Sequence, residues 1–398
     1  DSGLVREPDR LPAMELDVAI WLVSAEAAPW LERAAGEPDP ESLGAADRWR
    51  RDLPADRAAA VLTQESLRRA AVRKLGDAAR KLFLTRDGLE QATRPTVARW
   101  RATRLATTGV THVWDLGCGL GLDALALVEA GMGVTAIERD PVTATLAAAN
   151  LGASARVIVG DVADLYDQVP SDAGVFLDPA RRTARGRSWD VADLSPSWDV
   201  VTSVLDGGRV ACVKLGPGIP YRLLPEHAEA VWVSDQGDLV EASVWAGPGA
   251  APGRRSALLL PQGLSLEAVG GHLPVGPIGS WLYEPDPAVI RAGAIPALGR
   301  ELGATGIAPG VAYLTTETHQ PTPYATAFEV LDHLPYRERD LRAWVKAHGV
   351  GTLEIKKRGL EVDPAALRRR LAPKGPASAT LVLTPTPDGA VALVVRRV

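Results

Sequence analysis

The sequence predicts an α/β fold, in which helices cover both faces of a mostly parallel sheet. First, a short apolar run at 110–114 ends in Asp115 and is followed by a glycine-dense turn and the helix-prone stretch Leu122–Ala130. Second, strand-like and helix-like stretches alternate through residues 111–250, which is the pattern of successive βαβ units. Third, four successive predicted strands each lead to an acidic residue, on the side where open parallel sheets bind ligands.

The glycine-dense turn has the composition of a ligand cradle. Gly117, Gly119 and Gly121 let the backbone turn sharply and approach a ligand without a Cβ in the way, and the following helix offers free N–H groups. A lone glycine loop is weak evidence, but the next strands add acids at regular intervals. The strands Gly133–Ile137, Ala155–Val159 and Gly174–Leu177 lead to Glu138, Asp161 and Asp178. Four such placements argue for a binding site at one sheet edge.

The run Asp115-Leu116-Gly117-Cys118-Gly119-Leu120-Gly121, together with Glu138 and Asp161, resembles the class I S-adenosylmethionine (SAM) methyltransferases. The resemblance implies a Rossmann-like sheet of seven strands and SAM as the cofactor. A dinucleotide-binding fold is the alternative, but it expects G-x-G-x-x-G and a loop that attracts pyrophosphate. An acid before the loop instead suits a cationic ligand. The implied cofactor-binding residues are Asp115, Gly117, Cys118, Gly119, Gly121, Glu138, Arg139, Asp161 and Val162.

Residues 1–110 are predicted to form an N-terminal helical region. Leu53–Leu84 places apolar residues at helical spacing, and Pro54 stands where a first helical turn would begin. Asp87-Gly88 is a turn signal, and a further helix is predicted at Pro95–Ala106. Because this segment leads into the first strand, it would lie over the carboxyl edge of the sheet. Thr93 would then line the cofactor pocket, unless it only caps a helix.

The SAM-binding domain is predicted to occupy residues 111–250. Gly208–Lys214 is predicted as its fifth strand, and Ala230–Ser234 with Leu239–Ala246 as a closing hairpin. An α+β connecting or substrate domain follows at 251–326, with a strand at Ala257–Leu260 and one helix near Pro287–Leu302.

The last predicted domain, 327–398, is a small basic α+β unit. Its tail resembles the THUMP-like domain that ends a family of bacterial SAM methyltransferases, through Lys356-Lys357-Arg358-Gly359 and Arg368-Arg369-Arg370-Leu371. The segment Tyr283–Gly293 and the run Asp178-Pro179-Ala180-Arg181-Arg182 fit the same family. Members are presumed to modify RNA, so the resemblance implies tRNA or rRNA as the partner. True THUMP modules, however, usually precede the methyltransferase domain.

Composition and charge set limits on the class of protein. The 398 residues carry a formal net charge of −5, yet residues 336–398 hold thirteen Lys and Arg against six Asp and Glu. A basic segment on an acidic body indicates a local polyanion contact or a solvated charged face. The chain has no apolar run of about 18 residues, which argues against a membrane helix. Two cysteines exclude a C-x-x-C metal site and make a disulfide framework improbable, so we expect a cytoplasmic protein without a metal.

The expected chemistry is direct displacement of a methyl group, which needs positioning more than reactive side chains. Methyltransferases that act on nucleic-acid amines carry N/D-P-P-aromatic after the fourth strand, and Asp178 and Pro179 match its first half. Ala180 and Arg181 do not match, and Arg181 would instead stack on a base or bind phosphate. We therefore expect Asp178, Pro179 and Arg181 to be catalytic, with Asp178 as a hydrogen-bond acceptor.

Two alternatives stay open at this point, and a third is disfavoured. The acceptor could be a small molecule, or the chain could be a SAM-binding RNA adaptor without turnover. A D-P-P-R-like motif also occurs in uracil-C5 methyltransferases, but that chemistry needs a cysteine nucleophile. Cys118 lies in the glycine loop and Cys212 in the middle of a predicted strand, so neither is well placed.

Overall fold

The computed structural model describes residues 14–181 and 190–398. The chain divides into two compact units. The first runs to Leu215 and includes Pro220–Ala228 and Val244–Pro252. The second consists of Gly216–Ile219, Glu229–Ser243 and Gly253–Val398.

The N-terminal part of the first unit is helical, as predicted. Its helices are α1 Leu16–Leu22, α2 Ala28–Ala35, α3 Leu43–Trp49, α4 Ala55–Leu75, α5 Arg86–Gln91 and α6 Pro95–Thr107. The predicted turn at Asp87-Gly88 is wrong, because the Thr85 hydroxyl caps α5 by accepting a bond from the Gly88 N–H at 3.0 Å, so both residues are helical. The helices α1–α4 enclose a core that includes Trp21, Trp49 and Leu62.

The middle of the chain forms the predicted alternation of strands and helices. In order, the elements are β1 His112–Leu116, α7 Leu122–Glu129, β2 Gly133–Glu138, α8 Pro141–Leu151, β3 Ala155–Val159, α9 Val162–Leu165, β4 Gly174–Leu177, β5 Ala180–Arg181, β6 Leu194–Ser195, α10 Trp198–Asp206, β7 Ala211–Leu215, β8 Glu229–Asp235, β9 Asp238–Ala246, β10 Arg255–Leu260 and β11 Leu264–Glu267.

Among the described residues, the larger sheet has nine strands in the order β11-β10-β8-β9-β7-β4-β1-β2-β3. The α/β class is confirmed, but β10 and β11 add two strands to the predicted seven. The strand β10 pairs parallel with β8, and β11 returns antiparallel along β10. Residues Gln236 and Gly237, with φ of 56° and 84°, form the two-residue turn between β8 and β9. That turn type joins hairpin strands, as predicted.

The register of the parallel strands explains why the acids gather at one edge. Leu116 at the end of β1 pairs with Ile137 of β2 and Leu177 of β4. Val159 of β3 pairs with Glu138, and Leu177 pairs with Val213 of β7. The residues that end or follow these strands therefore lie along a common carboxyl edge.

A side chain of α8 ties the helical region to the glycine turn. The Oδ1 atom of Asn150 accepts a bond from the Phe83 N–H at 2.7 Å. Its Nδ2 donates to the carbonyl oxygens of Phe83 and Leu120, each at 3.0 Å. Because both the oxygen and the nitrogen of the Asn150 amide are used, this side chain fixes the segment before α5 and the turn before α7 relative to each other.

The rest of the second unit is built on a seven-stranded sheet with the order β13-β14-β12-β15-β18-β17-β16. Its elements are β12 Trp281–Pro285, α11 Pro287–Ala292, α12 Ile295–Leu302, β13 Thr305–Gly306, β14 Leu314–Thr316, β15 Ala325–Pro335, α13 Glu338–Ala347, β16 Val350–Lys357, α14 Pro364–Leu371, β17 Ala377–Thr386 and β18 Gly389–Arg397.

Two comparisons with the predicted elements stand out in this unit. The single helix predicted near Pro287–Leu302 is wrong, because Gly293 in the left-handed region (φ 76°) ends α11 before α12 begins. The predicted C-terminal order is confirmed, including the Asp363 cap on α14 and the hairpin around Asp388-Gly389. Helices α13 and α14 pack through Leu341, Val345 and Leu367 on the core of this sheet.

Candidate functional site

The glycine turn between β1 and α7 is held open by its backbone. Gly117, Gly119 and Gly121 all have positive φ (88°, 55° and 77°). The N–H groups of Gly117 and Cys118 both donate to the Ile137 carbonyl at 2.9 Å. A Cβ at Gly117 or Gly119 would meet nothing within 4 Å, whereas one at Gly121 would lie 3.0 Å from Leu151. The first two glycines therefore border open space and the third serves close packing.

Asp115 places a carboxylate below this turn without an internal partner. The residue is 1% exposed, and neither of its carboxyl oxygens has a hydrogen-bond partner among the residues that the structure describes. Burial, followed by the negative charges of Asp123 and Asp178, raises the pKa of Asp115 well above its usual value, while Arg101 opposes the rise. A buried carboxyl of this kind is suited to a ligand that brings hydrogen-bond donors and positive charge.

Glu138 ends β2 with its carboxylate fixed by the main chain. Its Oε2 accepts a bond from the Gly119 N–H at 3.0 Å, and its Oε1 accepts one from the Asp140 N–H at 2.8 Å. Each oxygen keeps a further lone pair, so two adjacent hydroxyl groups could be recognised here. The glycine turn and the second strand thus share one anchoring carboxylate.

The strand β3 contributes a third acid, next to a basic residue from β2. The Oδ1 atom of Asp161 accepts a bond from the Ala163 N–H at 2.9 Å, which caps α9. Its Oδ2 lies 3.7 Å from the guanidinium of Arg139, and both side chains are largely exposed. Val162 is buried directly behind them. The four predicted residues Glu138, Arg139, Asp161 and Val162 therefore lie together at the ends of β2 and β3.

The segment after β4, which departs from the N/D-P-P-aromatic pattern in sequence, contains a short strand. Ala180 and Arg181 form the short strand β5, which pairs antiparallel with Leu194 and Ser195. Pro179 is buried and Asp178 is partly buried. Arg182 and the side chain of Arg181, which belong to the predicted motif, lie outside the described residues.

A charged network beside Asp178 was not foreseen from the sequence. Lys214, at the end of β7, places its Nζ 2.5 Å from Oδ2 of Asp178 and 3.1 Å from Oγ1 of Thr93. The Thr93 hydroxyl in turn donates to Asp123 Oδ2 at 2.8 Å. Arg101, which is 1% exposed, forms an ion pair with the other oxygen of Asp123. The network therefore joins β7, α6 and α7 with the segment after β4 and the segment before α6.

Thr93 thus lies at the carboxyl edge, in contact with Lys214 and Asp123, and its place in the cofactor pocket stays a prediction. It does not cap a helix, because α6 begins after Arg94 without a side-chain cap. Asp123 has one signal in the sequence, since an acid in the first turn of a helix after a glycine loop is favourable for the helix dipole. Its partners lie 22 and 30 residues away, and a single sequence carries no signal for such contacts.

Burial limits the reactivity of both cysteines. Burial, followed by the charges of Asp115 and Glu138, raises the pKa of the Cys118 thiol far above its usual range. Cys212 is fully buried in β7. Over residues 14–181 and 190–398, no cluster of three or more His, Cys, Asp and Glu could hold a metal ion. Helices that are long and apolar enough to cross a membrane are also absent from those residues.

Comparisons with known proteins show what this chain is similar to. A family model described as THUMP domain-like matches residues 325–397. Two curated relatives, from the CDC 1551 and H37Rv strains of Mycobacterium tuberculosis, are named uncharacterized S-adenosylmethionine-dependent methyltransferases. Each is 36% identical over 344 residues, which cover 83% of this chain and 93% of the relative. A crystal structure from Porphyromonas gingivalis W83, named as a methyltransferase, superposes with a TM-score of 0.77 at 24% identity, over 95% of this chain and 98% of that one.

Proposed function

The chain belongs to the S-adenosylmethionine-dependent methyltransferases with a C-terminal THUMP-like domain, and from this premise we propose that it methylates a base amine of tRNA or rRNA. SAM is its methyl donor. When bound, the donor supplies a methyl group on a positively charged sulfur, which leaves as a neutral thioether. The observation that supports an amine acceptor is that Asp178 is partly buried and is held by Lys214 next to the other acids at the carboxyl edge of the sheet.

We assign donor binding to the residues around the glycine turn. The oxygens of Asp115 have no hydrogen-bond partner among the described residues and fit the cationic amino acid part of the donor, and the space that those residues leave at Gly117 and Gly119 fits its close approach. Glu138 would hold the ribose hydroxyls. The other residues proposed to contribute are Cys118, Gly121, Arg139, Asp161 and Val162, with Thr93 acting through its bonds to Lys214 and Asp123.

Asp178 is proposed as the acceptor of the amine hydrogen bond. Its Oδ2 is engaged by Lys214, whereas Oδ1 has no hydrogen-bond partner among the residues that the structure describes and would be available to the substrate. An N–H bonded to this oxygen directs the nitrogen lone pair away from the carboxylate. As the new N–C bond forms, the nitrogen becomes cationic, and its proton passes to Asp178 and then to solvent. Pro179 and Arg181 would shape the same pocket edge.

The state of the cysteines favours nitrogen over ring carbon as the acceptor. Methylation at C5 of a uracil needs a thiolate that adds to the ring. The raised pKa of Cys118 keeps that thiol protonated, and Cys212 is sealed inside the sheet. The sequence contains only these two cysteines.

The distribution of charge supports RNA as the acceptor. The segment 336–398 carries a surplus of basic residues on an otherwise acidic chain, and it coincides with the THUMP-like match. Polyanions bind such surfaces with strong salt dependence.

The proposal is tested by methyl transfer to RNA from a strain that lacks this protein. The purified protein and a radiolabelled donor should methylate one RNA class of that strain, and RNA from the parent strain should accept far less. Asp178→Ala should lose roughly 100-fold or more of the rate while it still binds the donor. If neither RNA is labelled but a pool of small metabolites is, the acceptor is a small molecule. If the donor binds and nothing is labelled, the chain acts as an adaptor.

A further inference from the structure

The position of Lys214 at the end of β7 is fixed from two sides. Its ammonium contacts the carboxylate of Asp178 at 2.5 Å and the hydroxyl of Thr93 at 3.1 Å, and its side chain is 17% exposed. The Thr93 hydroxyl has one proton, which it donates to Asp123. It can therefore only accept from Lys214, so the direction of both bonds is determined.

The far end of this network is anchored in the core. Asp123 pairs with Arg101, whose side chain is 2% exposed and whose guanidinium lies 4.6 Å from the centre of the Phe176 ring. Burial tends to raise the pKa of Asp123, but the charges of Arg101 and Lys214 and the Thr93 bond outweigh it, so the pKa is lowered. Asp123 is thus a stable anion that attracts Lys214 through Thr93.

The charges around Asp178 make Lys214 its main stabilising partner. Burial raises the pKa of Asp178, and the negative charge of Asp123 adds to that rise. Asp115 on β1 also lies within electrostatic reach. Lys214 on β7 and, more weakly, Arg101 on α6 oppose the rise. Without the ammonium, a partly buried carboxylate would face two other acids.

We propose that Lys214 is a positioning residue for methyl transfer: it holds Asp178 as an anion, engages its Oδ2, and leaves Oδ1 free to accept the N–H of the substrate amine. This inference rests on the proposed role of Asp178. Thr93, Asp123 and Arg101 hold Lys214 in place, so that two residues from the N-terminal helical region, Thr93 and Arg101, contribute to the chemistry without touching the substrate.

The first arm of the test measures folding and needs no acceptor. Lys214→Met should lower the urea midpoint more at pH 8 than at pH 5, because loss of the ammonium raises the pKa of Asp178 further and the cost of its unpaired charge therefore grows with pH. In an Asp178→Asn background the same change should lose most of this pH dependence. The inference is overturned if the loss is equal at both pH values, or if its pH dependence is unchanged in the Asp178→Asn background.

The second arm measures methyl incorporation into RNA from the deletion strain as a function of pH. Lys214→Met should reduce kcat roughly tenfold or more at pH 7 and move the acidic limb of the profile to higher pH. Lys214→Arg should restore the limb, and Asp178→Asn should abolish it. A limb unmoved in Lys214→Met contradicts the inference. If wild-type protein labels no RNA, the proposed acceptor is wrong. The folding arm still tests whether Lys214 holds Asp178 as an anion.

Discussion

At the scale of single residues, Asp115 holds a carboxyl group where a charge is costly. Its raised pKa means that the folded state favours the protonated form. The stability linked to this group is therefore present at acidic pH and is lost as the pH rises through the folded-state pKa. We expect that stability is sacrificed here for recognition of a cationic ligand, as binding sites commonly do.

Asp115→Asn should separate these two effects. Without the donor, the variant should be more stable than wild type at pH 8, and the gain should shrink at pH 5. Its donor affinity should fall roughly 10- to 100-fold, because a hydrogen bond to a charged group contributes about 1.5–3 kcal/mol. Urea unfolding at the two pH values and titration calorimetry with SAM measure both quantities. Unchanged donor affinity would remove Asp115 from the site.

The sequence identified the acids of the site but not their partners. Asp115, Glu138, Asp161 and Asp178 could be predicted because each ends or follows a strand, and strand ends are visible in a local pattern. The bond from Lys214 to Thr93 spans 121 residues, and the bonds of Asp123 depend on how α6 packs on α7. Contacts of that kind are set by tertiary packing, and the apolar periodicity of the sequence does not indicate them.

At the scale of elements, the turn from β1 to α7 combines a binding role and a packing role in neighbouring glycines. Gly119 borders open space, and Gly121 contacts Leu151 of α8. Gly131, after the other end of α7, also has a positive φ, of 86°, and a Cβ there would meet none of the described residues within 4 Å. It therefore supplies a control for the backbone strain alone.

Three alanine variants should resolve the turn. Gly119→Ala and Gly131→Ala should each lose about 1–2 kcal/mol of stability from the left-handed backbone, but only Gly119→Ala should weaken SAM binding. Gly121→Ala should lose more stability than either, because its Cβ also meets the Leu151 side chain at 3.0 Å. Thermal unfolding and calorimetry provide the comparison. Equal SAM affinities for the first two variants would refute a ligand beside Gly119.

Sequence reasoning about elements succeeded where the signal is local. The strands of the parallel sheet and the C-terminal order of α13, β16, α14, β17 and β18 follow from apolar runs and caps. It failed at Asp87-Gly88, where the Thr85 cap outweighs the turn propensity of the pair. It predicted the strand at Ala257–Leu260, which is part of β10, but placed it in a connecting domain, and it missed β11. Both strands lie among prolines and glycines that suggested a connecting segment.

At the scale of the whole molecule, charge is unevenly distributed, and helix α13 presents part of the basic surplus. Arg339, Arg342 and Lys346 lie three and four residues apart, so they share one face of the helix. The side chains of Arg339 and Arg342 are 88% and 58% exposed, and Lys346 is exposed as well. This face is accessible to a phosphate backbone.

Reversal of these three charges to Glu should weaken RNA binding and reduce the slope of log K against log salt by roughly 2–3, since each phosphate contact contributes about 0.7–0.9. The matched control reverses three exposed arginines of the helical region, Arg50, Arg51 and Arg80, and should leave the slope nearly unchanged. Fluorescence anisotropy with total tRNA at several salt concentrations gives both slopes. Identical slopes for the two triple variants would place the RNA contact elsewhere.

The amide of Asn150, bonded to Phe83 and Leu120, has a consequence for protein engineering. A chimera that joins another protein's N-terminal region to β1 would remove residues 82–93, which Asn150 connects to the glycine turn. Thr93 would be lost with them. Donor sites transplanted between homologous scaffolds should therefore be excised upstream of residue 82. A junction placed at β1 would yield a folded sheet whose glycine turn is held less rigidly.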